Sequence, residues 1–383
     1  MMPHFELAEY QARRDRATAA LRAADLDAIL LFAPESHYWL TGYDTFGFAM
    51  FQCMVLTADG EIVLLTRMPD KRQALHTSIL DDSQIRIWTE VEGANPAEDL
   101  NALLAERLLN RSRLGVEMDT VGLTARNWTR LHDVFGPWLS DASGLIRGLR
   151  RSKSPAEIEM HRRAAALSDD AYNAAVHATG AGAFEGDILA DMQGAVFRGG
   201  GDYAGNEFII GSGEGALLCR YFSGRRHLES SDQITLEWSG AYARYHAAMM
   251  RTLIVGKASD TQRAMHAAAV EALEACEAAI RPGAPMGDVF DAHAAVFDAH
   301  GLSHARLQAC GYGMGAVYTP IWVDFPMFYE GNPTLMEAGQ VFFLHMILMD
   351  SQAGLAMCWG HSVLATETGV ERLSSAPLDL VEC

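Results

Sequence analysis

Apolar and polar positions along the chain follow two periods. From Glu6 to Ala24, the residues Tyr10, Ala17, Leu21 and Ala24 return near one face, which predicts an amphipathic helix. Ala28 to Phe32 is a short apolar run, read as a buried strand, and His37 to Asp44 is read as an aromatic turn. The runs Gln52 to Thr57 and Glu61 to Thr66 flank Ala58-Asp59-Gly60, and Asp-Gly between apolar runs predicts a hairpin. Leu114 to Met118 predicts another strand and Thr124 to Val134 a helix. This mixture is that of an α/β domain.

A boundary follows. Ser154, with Pro155 next and Glu157 three residues on, forms a capping box that predicts a helix from Pro155 to about Ala178. Two domains are expected, residues 1–152 and 153–383. Gly199-Gly200-Gly201 reads as a turn inside the second. Asp260 to Ile280 and Gly287 to His300 predict helices, and Val341 to Leu348 and Ser362 to Thr366 predict strands. Strand-helix-helix-strand patterns on both sides of this domain's middle suggest a duplicated architecture.

Leu236 to Thr252 sits at that middle. The apolar run Ile234 to Leu236 ends on Glu237, a glycine turn follows, and a return run carries His246 before closing on Arg251-Thr252. A strand, a bend and a return strand are predicted, with Glu237 and His246 near one another at a sheet surface.

Composition narrows the possibilities. The 383 residues are 49% apolar and 21% charged, ordinary for a folded soluble protein with two cores. A net charge of -19 argues against nucleic acid or an anionic membrane as partner. The six cysteines form no Cys-x-x-Cys pair and are expected to be reduced thiols of a cytoplasmic protein. Met1 to Arg14 carries charges throughout and has no signal-peptide core, and no stretch approaches the roughly 20 apolar residues of a membrane span.

Several stretches together resemble the creatinase/prolidase/methionine-aminopeptidase family. They are the Leu40-Thr41-Gly42-Tyr43 turn, the helix start Lys153-Ser154-Pro155-Ala156-Glu157-Ile158-Glu159, and the hairpin ending on Arg251-Thr252. The resemblance implies an α+β pita-bread fold: a smaller α/β N-terminal domain and a C-terminal domain with helices outside a curved antiparallel sheet. It also implies a homodimer. Peptidases of the family hold two metals with two Asp, one His and two Glu; the matching positions here read Glu237, Ala248, Tyr312, His345 and Gly360. One carboxylate where five ligands are expected implies no metal and no other cofactor. Metal-free hydrolases exist in the family, creatinase and ectoine hydrolase. The hairpin Glu237-x-x-Gly240-x-Tyr242-x-Arg244-Tyr245-His246-Ala247 and Cys310-Gly311-Tyr312 are similar to the latter, where the glutamate is thought to be a covalent nucleophile. The stretch from Phe342 to Gly360 and Arg220 depart from the patterns of that enzyme and of the wider family.

Each candidate has two readings. Glu237 is a nucleophile or an anchor for a cationic group, or else a solvated rim residue. His246 shuttles protons or is a satisfied core histidine. Tyr312 donates to developing negative charge or packs; His345 is a general acid/base or buried support, as is His361. Arg220 clamps a substrate carboxylate or forms a surface ion pair. Tyr43 and Trp322 contact substrate or belong to the core. The function expected is metal-independent hydrolysis of a C–N bond in a small zwitterion, typically a cyclic amidine. The alternatives are a metal-dependent Xaa-Pro dipeptidase and a non-catalytic binding module.

Overall fold

The computed structural model describes residues 3–220 and 224–383; Met1 and Met2, which open the charged N-terminal stretch, and Tyr221, Phe222 and Ser223 lie outside the described residues. The chain divides into two compact units, residues 1–150 and 151–383. No helix among the described residues is long and apolar enough to cross a membrane.

The first unit is built on β1 (Ala28–Leu31), β2 (Cys53–Thr57), β3 (Ile62–Thr66), β4 (Ile85–Ile87), β5 (Leu114–Val116) and β6 (Leu139–Asp141), in the order β4-β3-β2-β1-β5-β6. The sheet is mixed: β1 is antiparallel to β2 and parallel to β5. Ala28 and Leu30 enter the core on one face, Ile29 and Leu31 the core on the other. Burial on both faces is why β1 reads as an unbroken apolar run. The stretch read as an aromatic turn is in fact mostly helix, Pro34–Thr41, closed by Gly42 at φ 80°. Proline at its start and a left-handed glycine at its end are its boundary signals.

The second unit holds β7 (Ile209–Ser212), β8 (Gln233–Tyr242), β9 (Tyr245–Ile254), β10 (Ala309–Gly313), β11 (Asp324–Tyr329), β12 (Val341–Asp350), β13 (Leu355–Ala365) and β14 (Val370–Arg372). Seven form one sheet in the order β11-β10-β12-β13-β9-β8-β7, and β14 pairs with β13. The helices Pro155–Ala178 and Glu185–Arg198 precede β7 to β9; Asp260–Ala279 and Gly287–Ala299 precede β10 to β13. The two halves meet where β9 pairs with β13.

Local chemistry sets these elements. Ser154 accepts from the Glu157 amide at 3.3 Å, and the Glu157 carboxylate accepts from the Ser154 amide at 2.9 Å, closing the capping box. The hairpin reverses at Ala243 (φ 49°) and Arg244 (φ 65°), not at the glycine. Two consecutive positive φ values twist the bend to match the flanking strands. Asp202 helps to hold this bend by accepting from the Arg244 amide at 3.0 Å. Gly240 lies within β8, where a Cβ would stand 2.1 Å from the Ala164 carbonyl oxygen; its role is close approach of the Pro155–Ala178 helix.

Candidate active site

Strand register carries one row of residues across the sheet of the second unit. Ile209 is opposed by Glu237, Glu237 by Met250, Met250 by Gly360, and Gly360 by His345. Directly opposed residues of antiparallel strands share a face. Tyr312 is opposed by Phe343, two residues from His345 along β12, so it joins that face. The Tyr312 and His345 rings lie 5.6 Å apart, centre to centre.

A cavity of about 640 Å³ opens beside this row. Glu237, Arg220, Cys219 and Ile209 line it near β7 and β8. Tyr312, His345 and Ile347 line it near β10 and β12, with Trp322, Val323 and Met327 beyond them. Trp322 is buried, and its indole N–H donates to the Tyr312 hydroxyl oxygen at 2.8 Å. The phenolic hydrogen of Tyr312 is therefore left for an acceptor in the cavity.

The charge balance is unusual. Burial pushes the Glu237 carboxyl up to about 7, with only the Arg220 guanidinium pulling it down. Burial, with a smaller contribution from Glu237, drives the Tyr312 phenol well above its ordinary range. Burial also lowers His345 to about 4, so at neutral pH its imidazole is uncharged. The Nδ1 of His345 has no hydrogen-bond partner among the described residues. A half-ionised carboxylate, a protonated phenol and a neutral imidazole thus face one space, a combination suited to moving protons at neutral pH.

Of the residues singled out from the sequence, Glu237, Tyr312, His345, Arg220 and Trp322 lie around this cavity. Three others do not. His246 is opposed by Ala241, four residues along β9 from Met250, or about 13 Å from the Glu237 position. Both its ring nitrogens are used: Nδ1–H donates to the Arg244 carbonyl at 2.8 Å, and Nε2 accepts from the Gly205 amide at 2.9 Å. It ties the hairpin bend to a loop. His361 is one residue past Gly360 and so turns to the opposite face, where its Nε2 bonds to Glu277 at 2.7 Å; Arg372 grips the same carboxylate. Tyr43 is buried in the core of the first unit, where its hydroxyl accepts from Gln52.

Sequence reasoning missed Ile209, Cys219, Met327 and Ile347, which line the cavity, and Glu207 and Gln308, exposed residues that also line it. Ile209 and Ile347 carry no local signal, since an apolar residue in a strand looks the same over a cavity as over a core. Cys219 adjoins Arg220, and that adjacency was a usable signal.

The five positions that the resemblance matches to the peptidases' metal ligands do not supply a donor set here. Ala248 and Gly360 have no side-chain donor. A Cβ on Gly360 would stand 2.4 Å from the Leu344 carbonyl oxygen and 3.1 Å from both the His345 Cα and the Phe343 ring, so the backbone of β12 leaves no room for a side chain there. The Tyr312 oxygen already accepts from Trp322 and is held protonated. Among the described residues there is no group of three or more His, Cys, Asp or Glu side chains placed to hold an ion. Two dications do not fit this arrangement.

Residues 159–367 match the model of metallopeptidase family M24, and residues 13–152 match the creatinase/prolidase N-terminal domain. The chain is 28% identical over 389 residues to an uncharacterized hydrolase/peptidase, y4tM, of Sinorhizobium fredii, covering 99% of this chain and 98% of that one. It is 26% identical over 394 residues to ectoine hydrolase of Halomonas elongata, covering 98% of each. The crystal structure of a prolidase from Thermococcus sibiricus superposes with a TM-score of 0.87 at 18% identity, covering 98% of this chain and 99% of the other. With its helix pairs outside one antiparallel sheet and a separate mixed-sheet unit before it, the chain belongs to metallopeptidase family M24 and has that family's pita-bread fold.

Proposed function

We propose that this M24 hydrolase cleaves a C–N bond of a small zwitterion without a metal, acting on a cyclic amidine as the name of its ectoine hydrolase relative suggests. The observation that carries the proposal is Glu237. It is the one carboxylate at the family's five metal positions, it faces the cavity, and burial holds it near neutral pH. A carboxyl of that pKa takes and returns a proton with little cost in either direction.

A protonated amidine presents an electrophilic carbon, and the Glu237 carboxylate draws in the cation. Glu237 removes a proton from water as the water oxygen bonds to that carbon and the C=N electrons settle on nitrogen. It then returns the proton to one ring nitrogen as the C–N bond breaks. The hydroxyl oxygen becomes an amide carbonyl, and its proton ends on the departing amine, which leaves as an ammonium. Tyr312 donates a hydrogen bond to the oxygen as it gains charge. Neutral His345 accepts the hydroxyl proton in transit to the amine, and Arg220, which also lines the cavity, holds the substrate carboxylate.

Turnover of ectoine followed by loss of substrate and appearance of the ring-opened N-acyl diamino acid tests the proposal. Glu237→Gln should lower kcat by at least about 10³-fold, since it removes the group that takes the proton from water and returns it to the leaving nitrogen. An undiminished rate in that variant, or stoichiometric manganese, zinc or iron in the purified active protein, would overturn it. A mass adduct on Glu237 in acid-quenched enzyme would show instead that the carboxylate oxygen itself attacks.

A further inference from the structure

The cavity is larger than a bare cyclic amino acid needs. Its volume of about 640 Å³ is that of roughly 20 water molecules. A zwitterion of about ten heavy atoms, each no bulkier than a water, fills less than about half of it. The excess space is not evenly lined. The charged groups Glu237 and Arg220 stand at the β7–β8 end of the sheet. At the β10–β12 end the wall is Leu307, Met327 and Ile347, with exposed Gln308 beside Leu307. Three strand spacings separate β8 from β12, roughly 14 Å measured along the sheet. Tyr312 on β10 and His345 on β12 stand at that same end, His345 two residues from Ile347 along its strand.

We infer that the substrate is two-ended: a zwitterionic amidine head held at Glu237 and Arg220, and an apolar substituent on the amidine carbon that rests beside Tyr312 and His345, against Met327 and Ile347. This inference rests on the proposed hydrolysis for the head group and on the cavity wall for the tail. Ile347 is buried within β12, so this part of the wall is preformed. Water against such a surface is readily displaced by hydrocarbon. A methyl on the amidine carbon reaches none of the far wall; a propyl or phenyl group does.

The test is a series of ectoine analogues with methyl, ethyl, propyl and phenyl groups on the amidine carbon, assayed for kcat/KM and for the rise in melting temperature on binding. Each added methylene should raise kcat/KM up to about fourfold, giving roughly tenfold from methyl to propyl. Ile347→Phe, which fills the far end, should remove that preference or reverse it. Hydrolysis of the methyl compound with rates that fall along the series overturns the inference and leaves the proposed reaction standing. Binding that tightens along the series with no hydrolysis supports the two-ended site and overturns the reaction. No binding by any member overturns both.

Discussion

Replacing Glu237 by Gln keeps the shape of the side chain and removes its charge, so its effect on stability should depend on pH. The carboxyl ionises near 4.5 in the unfolded chain and near 7 in the fold, because burial penalises the charged form more than Arg220 relieves it. The sign follows from proton counts. Between those two values the folded chain holds the proton and the unfolded chain has released it, so rising pH favours unfolding. Integration between these limits gives a destabilisation of about 1 kcal/mol at pH 5 and about 3 kcal/mol at pH 8. Gln does not titrate and escapes this loss. The variant should therefore gain about 2 kcal/mol on wild type as pH rises from 5 to 8, or roughly 5 °C in the melting temperature of a domain of this size. Differential scanning calorimetry of both proteins at pH 5, 6.5 and 8 reads this directly. A gap between the two melting temperatures that stays constant, or narrows as pH rises, would refute the view that Glu237 is a half-buried, half-neutral acid.

Two further predictions concern the walls of the same site. Gly360→Ala places a Cβ 2.4 Å from the Leu344 carbonyl oxygen, a backbone atom that cannot swing aside; chemical denaturation should show a loss of about 1–3 kcal/mol. Trp322→Phe removes the donor to Tyr312, which frees the phenol to turn its hydrogen away from the cavity. A fall in kcat of up to about fivefold is expected, equivalent to one hydrogen bond of about 1 kcal/mol. Steady-state kinetics check it, and a change in KM alone would mean that the indole only contacts substrate.

Much of the architecture was legible in local chemistry. The Pro155–Ala178 helix follows from a capping box and a proline in its first turn, because these residues act on the few amides beside them. The β2–β3 hairpin follows from Asp-Gly for the same reason. The Pro34–Thr41 helix was missed although its proline and glycine are present, because seven of its eight residues are buried and a segment buried on every side carries no readable period. The hairpin bend was misplaced onto Gly240, because a glycine needed for helix packing looks in sequence like one needed for a turn.

The site divides in the same way. That Glu237 ends an apolar run, and that Ala248 and Gly360 cannot bind an ion, are properties of the residues themselves and need no coordinates. Which histidine faces the cavity was decided only by tertiary structure. His345 and His361 sit in similar apolar strands, and the pairing of His345 with Gly360 sends one inward and the other toward Glu277. Side chains alternate along a strand, so a register shift of a single residue would exchange them. Pairing is set by contacts between β9, β12 and β13, which are far apart in the chain, and no stretch of sequence holds that information by itself.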